Sequence, residues 1–412
     1  MENTKKIQQN IFILLYKNRR FENFRERICK KMHNRIYLDN GSTSWPKAPG
    51  VGDTIKNFLE QNGSNIGRGG YDEAYTTEAM IGEVRNKLAN MDGDGHHPEC
   101  VTFTLNVTEA LNFLIKGLLS PEDHVIVSSM EHNAVMRPLV QSHTKFSRIP
   151  ADQEGRMRID AVERLISPTT KAIITTAASN VCGTIQPLAR LKEIARKHHL
   201  LLIVDAAQGL PYLDMKGLEA DAIAFTGHKG LLGPQGVGGM ILTPQLAQAI
   251  DPLVSGGTGS MSDSEQIPPY LPDRLEAGTQ NLPGILALGT ALDYLEQHAE
   301  ALKANEQART QELLDGLERI PQISIVGPKA MDERVPIISI DVPGKDNADI
   351  ADLLARQGIE TRVGLHCAPI AHKTLGTFPR GTIRFAPGPF TTKEEIETTL
   401  QVLKEHLTRE NH

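Results

Sequence analysis

Six short runs of apolar, largely β-branched residues stand out between residues 100 and 242, at 101–105, 125–129, 172–176, 201–204, 222–225 and 237–242. Amphipathic stretches with helical spacing of their apolar positions lie between them, at 108–118, 134–141 and 188–199. This alternation predicts a mostly parallel sheet covered by helices. Ligands of such sheets bind beyond the carboxyl ends of the strands, so the residues just after each run are where chemistry is expected. Helices are predicted at 285–296 and 299–319, after which the pattern changes. Strands at 323–326, 335–342 and 382–385, with helices at 348–357 and 393–409, predict a smaller C-terminal α+β unit. The expected organisation is a large domain over 51–296 and a small domain built from 33–50 and 297–412.

A chain of 412 residues, 40% hydrophobic and 23% charged, is long enough for two or three domains with a large core. Its net charge of −6 argues against nucleic acid as a partner. Basic residues concentrate only at the N-terminus, where residues 1–35 hold ten Lys and Arg against three Glu. The apolar stretch 11–16 is too short for a membrane span or a secretory core, so no membrane partner is expected. Residues 1–32 read as a solvated basic extension or, if Met32 is the true start, as no part of the native protein. Cys29, Cys100, Cys182 and Cys367 form no Cys-x-x-Cys pair and follow no secretion signal, which fits a reducing cytoplasm. His96, His97 and Cys100 lack a fourth ligand at zinc spacing and read as a surface turn; no metal is expected.

Three strand ends carry candidate chemistry. Lys229 follows the run 222–225 and precedes the glycine-rich stretch 230–239; a lysine there can form a Schiff base, and the glycines can let backbone approach a cofactor. Asp205 follows the run 201–204, where a carboxylate can pair with a pyridinium nitrogen. Thr108 opens a helix after the run 101–105 and can offer a hydroxyl and backbone N–H groups to a phosphate. Each also has a plain structural reading, as a solvated lysine, a helix-capping acid and an N-terminal threonine.

In order along the chain, the motifs resemble the class V aminotransferase-like enzymes that use pyridoxal phosphate (PLP), and within them the cysteine desulfurase/selenocysteine lyase family. The resemblance runs through Tyr37-Leu-Asp-Asn-Gly-Ser-Thr-Ser-Trp-Pro46, Asn65-Ile-Gly-Arg-Gly-Gly-Tyr71, Asn106-Val-Thr-Glu-Ala-Leu-Asn112 and Met130-Glu-His-Asn133. It continues through Ser179-Asn-Val-Cys-Gly-Thr184, the Asp205 and Lys229 segments, Arg274-Leu-Glu-Ala-Gly-Thr-Gln-Asn281, Arg362-Val-Gly-Leu-His-Cys-Ala368 and Gly381-Thr-Ile-Arg-Phe-Ala386. The resemblance implies the α/β fold type I architecture of PLP-dependent transferases, with a mostly parallel seven-stranded sheet in the large domain and a smaller α+β C-terminal domain, and a homodimer. It implies Lys229 as the Schiff-base lysine, Asp205 on the pyridine nitrogen, Gln208 and Asn180 at the ring's phenolic oxygen, and His132 stacked on the ring. Thr108, Thr226 and His228 would hold the phosphate, with the backbone at Val107 and with Thr279 reaching across from a partner subunit. Arg384, aided by Arg362 and Asn180, would bind the substrate carboxylate.

Cys367 separates a desulfurase from a transaminase, because a thiolate can attack the sulfur of a bound cysteine. Its surroundings resemble the SUF-type (group-two) segment of the family, and Arg362 and His366 are expected to favour its thiolate. The sequence departs from many relatives at Leu365, where they have a histidine, and at Val107, where they have a hydroxyl residue. The implied function is PLP-dependent removal of sulfur from L-cysteine, giving L-alanine and a persulfide on Cys367 for an acceptor protein or thiol, as in iron–sulfur cluster assembly. Alternatives are a selenocysteine lyase acting on L-selenocysteine, another class V aminotransferase or lyase, and a non-catalytic scaffold for sulfur transfer.

Overall fold

The computed structural model describes residues 35–67, 69–91 and 97–409. The basic extension, the question of Met32 as start, Arg68 and His96 lie outside the described residues.

After a short β1 (Ile36–Tyr37), seven strands form one sheet: β2 (Val101–Thr104), β3 (His124–Ser128), β4 (Lys145–Ile149), β5 (Thr170–Thr176), β6 (Leu201–Asp205), β7 (Ala222–Thr226) and β8 (Gly238–Leu242). Their order is β2-β8-β7-β6-β5-β3-β4. Strands β3 to β7 pair in parallel, and β8 runs antiparallel to both β2 and β7. This is the expected α/β fold with a mostly parallel seven-stranded sheet. Two apolar layers sandwich it: Ile126, Ile173, Leu202, Val204 and Phe225 face one way, and Val125, Val127, Ile174, Ile203 and Ala224 face the other. All six expected runs fall within two residues of the observed strands at each end. The seventh strand, β4, is marked by no apolar run, because it is a sheet edge with Lys145 and Arg148 exposed.

A second, four-stranded antiparallel sheet has the order β12-β13-β10-β9, from β9 (Ser324–Val326), β10 (Ile338–Asp341), β12 (Arg362–Gly364) and β13 (Thr382–Phe385). Strand β1 pairs in parallel with β11 (Ile359–Glu360), which carries Leu38 into the core under this sheet beside Ile340, Leu354 and Phe385. The two helices expected at 285–296 and 299–319 are one continuous helix, Leu282–Glu318. Its first turns give Ile285, Leu288 and Leu292 to the core of the large sheet, and its last turns give Leu313, Leu314 and Leu317 to the core of the small sheet. Residues 296–301 between these stretches are exposed, so the apolar stripe lapses although the helix does not. Among the described residues no helix is long and apolar enough to cross a membrane.

Gly230 and Gly238 permit close packing within the chain. A Cβ on Gly238 would sit 2.7 Å from the Asn106 backbone, and one on Gly230 would sit 2.5 Å from the Leu210 carbonyl oxygen. Bare backbone at these points lets the Lys229 turn and the start of the helix Val107–Lys116 press against neighbouring strand ends.

Candidate active site

The carboxyl ends of β5, β6 and β7 bring Thr176, Asp205 and Thr226 to the same edge of the sheet, and Lys229 follows in the turn after β7. A cavity of about 180 Å³ opens there, lined by Lys229 with Gly41, Ser42, His132, Asn180, Gln208, Arg362, His366 and Arg384. Burial holds the Lys229 ammonium down to about 8, helped by Arg384 and Arg362 and opposed by the Asp205 carboxylate. A large share of this amine is therefore neutral near pH 8, as a Schiff-base nucleophile or general base requires.

Asp205 is buried, and one of its oxygens accepts a hydrogen bond from the Ala207 backbone at 3.0 Å. Burial pushes its carboxyl up, against the pull of that bond and of Lys229. His132 caps the helix Asn133–Gln141: its Nδ1 accepts from the Ala134 N–H at 3.0 Å, which leaves the ring proton on Nε2. Burial and the cations Lys229, Arg362, Arg384 and Arg137 hold its pKa down to about 4, so the ring is neutral. The amide nitrogens of Gln208 and Asn180 donate to the carbonyls of Gly41 and His366, each at 2.7 Å. These bonds tie the end of β6 and the loop after β5 to the segments bearing Arg384's partners and Cys367.

Thr226 Oγ1 and His228 Nδ1 are buried and have no hydrogen-bond partner. Buried polar groups are almost always paired, so two orphans two residues apart mark a place prepared for an anion that the chain does not supply. The phosphate of PLP fits that place, and an acid at Asp205 with a low-pKa amine at Lys229 fits the rest of the cofactor. The Val107 side chain is packed into the core, so only its backbone N–H is free for such a role. Thr108 is exposed and lines a second cavity, next to His132. Thr279 stands away from the Lys229 cavity, exposed in a separate cleft of about 760 Å³ that also holds Tyr270 and Glu276.

Arg384 is buried at the centre of β13. Its Nη1 donates to the Asn180 carbonyl at 2.9 Å, and its Nη2 donates to Asp39 Oδ1 at 2.8 Å and Ser42 Oγ at 2.7 Å. Ser42 also accepts from Arg362 Nη1 at 2.8 Å and donates to Asp39 at 2.8 Å. Asp39 and Ser42 were not singled out from the sequence. The signal was their place in the Tyr37–Pro46 motif, whose role appears only when the chain brings it 345 positions away to Arg384. A second link joins this motif to the lysine turn: the His228 carbonyl accepts from the Ser44 N–H at 2.8 Å and from Lys47 Nζ at 2.8 Å.

Cys367 is exposed in the turn after β12, where His366 and Cys367 have φ of 46° and 57°. Two successive side-chain-bearing residues in the left-handed region are strained, and the turn is held by its neighbours. The Cys367 carbonyl accepts from the Asn133 N–H at 2.8 Å, and the His366 carbonyl accepts from Asn180. The expectation that His366 favours the thiolate is corrected by its orientation. Its ring is buried, with Nε2 3.0 Å from Thr382 Oγ1, and burial holds its pKa down to about 2. It carries no charge to lend and acts as an anchor of the turn.

The Cys367 thiol faces the second cavity, about 260 Å³, lined by Thr108, Asn112, His132, Asn133, Arg137 and Gln141 among others. His132 lines both cavities and so stands between Cys367 and Lys229. Cys100 and Cys182 are buried; the Cys100 thiol is pushed up to about 11 by burial, which makes it a poor nucleophile.

Known proteins resemble this chain in sequence and fold. The model of the aminotransferase class-V family matches residues 36–399. A probable cysteine desulfurase of Halobacterium salinarum is 31% identical over 385 residues, covering 90% of this chain and 91% of the relative. One of Pseudomonas putida is also 31% identical, over 91% of this chain and 94% of its own. The apo structure of a cysteine desulfurase from Thermococcus onnurineus superposes with a TM-score of 0.84 at 27% identity, covering 92% of this chain and 96% of that one. A cysteine desulfurase from Escherichia coli gives 0.80 at 26% identity, with 91% and 95% covered. The chain belongs to the aminotransferase class-V family and, within it, to the cysteine desulfurases.

Proposed function

We propose that this chain removes sulfur from L-cysteine with PLP as cofactor, leaving L-alanine and a persulfide on Cys367. The observation that carries the reading is that neutral His132 lines both the cavity holding the low-pKa Lys229 and the cavity holding the exposed Cys367 thiol. Asp205, Gln208, Asn180 and His132 would hold the cofactor's ring; Thr226, His228, Thr108 and the Val107 N–H would hold its phosphate. PLP, when bound, supplies an electron sink for the charge left when the substrate Cα loses its proton.

The chain's own residues do the rest. Arg384, with Arg362, binds the substrate carboxylate as a guanidinium fork oriented by Asn180, Asp39 and Ser42. The Lys229 amine takes the Cα proton, since its pKa near 8 suits a general base. Cys367 attacks the substrate sulfur: an S–S bond forms as the C–S bond breaks, alanine leaves, and the sulfur stays on Cys367. The buried His366 and Asn180 contacts hold the strained turn that presents the thiol.

A homodimer completes the site in this reading, with Thr279 serving the partner's phosphate. Its support is that Thr279 lies exposed outside its own chain's Lys229 cavity, in a cleft that also holds the exposed Tyr270. A reducing, cytoplasmic setting suits a reactive thiol. Assaying alanine from L-cysteine and from L-selenocysteine, with and without a keto acid, tests the reading. Alanine from L-cysteine without a keto acid supports it; turnover of L-selenocysteine alone makes the chain a selenocysteine lyase, and strict keto-acid dependence makes it a transaminase.

A further inference from the structure

We infer that Glu131 is a positioning residue for Asp205: a buried neutral acid that closes the end of β5 and leaves Asp205 as the anion presented to the ring nitrogen of the cofactor. The inference rests on the reading that places Asp205 at that nitrogen, and it adds a residue which that reading does not use.

Three observations support it. Glu131 lies between β3 and the helix Asn133–Gln141 with only 1% of its surface exposed, and among the described residues no cation forms an ion pair with it. Its Oε1 accepts from the Ser128 hydroxyl and from the Thr176 N–H at 2.9 Å, while its Oε2 is buried with no partner. Thr176 ends β5 in register with Asp205 at the end of β6, so Glu131 is held one strand away from a second buried carboxyl.

A carboxylate without a cation is costly in a dry interior, and two neighbouring carboxyls there do not both ionise. Burial raises the Asp205 carboxyl too, but the Ala207 N–H and the Lys229 ammonium favour its charge. Glu131 has no such cation, and its partnerless Oε2 is the place for the proton. Burial, with Asp205 adding to it, raises the Glu131 carboxyl from 4.5 to about 8 against its two hydrogen bonds. Of the elements around it, β3 and β5 bring the Ser128 and Thr176 donors, β6 brings Asp205, and His132, next in the chain, is neutral. A proton held on Glu131 is one that Asp205 does not share, so the negative charge of the pair stays where a pyridinium can use it.

The test uses the full chain loaded with PLP isotopically labelled at its ring nitrogen. Infrared difference spectra between wild type and Glu131→Gln, taken from pH 5 to pH 10, are expected to show a protonated-carboxyl stretch that is present at pH 7 and lost at higher pH. Repeated in an Asp205→Asn background, the loss is expected at lower pH, because the neighbouring charge is gone. A band already lost at pH 6 in wild type would make Glu131 an anion and overturn the inference; an unmoved midpoint in the Asp205→Asn background would uncouple the two carboxyls and do the same. Ser128→Ala removes a bond that favours the charged form, so the band should persist to higher pH. It supplies the difference spectrum if Glu131→Gln does not fold, and a carboxyl band that it leaves unmoved would contradict the assignment.

Nuclear magnetic resonance of the labelled ring nitrogen gives the second readout. Gln keeps both hydrogen bonds and the neutral charge, so the nitrogen is expected to be protonated in wild type and Glu131→Gln alike, and to lose its proton in Asp205→Asn. Loss of that proton in Glu131→Gln would show that Glu131 carries the charge itself, against the inference. A resonance unmoved by Asp205→Asn sinks the underlying reading of Asp205, a failure kept distinct because it is seen on the cofactor rather than on the carboxyl band.

Discussion

The Arg384 guanidinium lies 2.8 Å from the Asp39 carboxylate, with both side chains largely withdrawn from solvent, at the site proposed for the substrate's own carboxylate. Three fixed acceptors, on Asn180, Asp39 and Ser42, set the plane of the guanidinium before any ligand arrives.

Arg384→Lys keeps the charge and loses this fork. Charge-assisted hydrogen bonds contribute about 1.5–3 kcal/mol each, so KM for L-cysteine is expected to rise by about ten- to a hundredfold while PLP remains bound. Steady-state kinetics with a check of cofactor absorbance measures this, and an unchanged KM would remove Arg384 from the substrate site.

Thr226→Val separates cofactor binding from folding. It replaces an orphaned buried hydroxyl by a methyl of similar shape, so the PLP-free protein is expected to melt at the same temperature or slightly higher. PLP affinity is expected to fall by about tenfold or more, from the loss of one charge-assisted bond. Thermal melts of the PLP-free protein and PLP titrations give the two readouts; retained affinity would mean the phosphate lies elsewhere.

The free amine of Lys229 sets the pH dependence of cofactor capture. With its pKa lowered to about 8, the neutral fraction grows as pH rises, and the rate of PLP incorporation into PLP-free protein is expected to increase about tenfold from pH 7 to pH 9. A flat rate over that range, followed by absorbance, would contradict the assigned environment.

Glu306, buried on the long helix, accepts from the Tyr212 hydroxyl at 3.2 Å, and burial pushes its carboxyl from 4.5 up to about 8. Because the folded pKa is raised, its contribution to stability is full below about 4.5 and is lost as pH rises through about 8. Glu306→Gln keeps the bond without the titration, so the variant is expected to gain on wild type in melting temperature between pH 5 and pH 8 and to hold that gain above it. A constant difference across the series would show that Glu306 does not titrate there.

Much of this site was legible in the sequence because strand ends, Lys229, Asp205 and Cys367 sit in local patterns. What escaped depends on contacts between distant segments. Asp39 and Ser42 gain meaning only beside Arg384, and the orientation of His366 is set by Thr382 across the small sheet rather than by adjacency to Cys367. The helix Leu282–Glu318 was divided in two because a helix that leaves one core and enters another shows no apolar stripe between them. Strand β4 escaped because an exposed edge needs charge more than it needs alternation.

The most direct test of the central claim follows the sulfur atom from substrate to Cys367. Wild type and Cys367→Ser, each shown by absorbance to carry PLP, are given L-cysteine with dithiothreitol. The account predicts alanine from wild type with a persulfide found on the Cys367 peptide, and background alanine from Cys367→Ser. Equal alanine from both proteins would contradict it and leave Cys367 without the role assigned here.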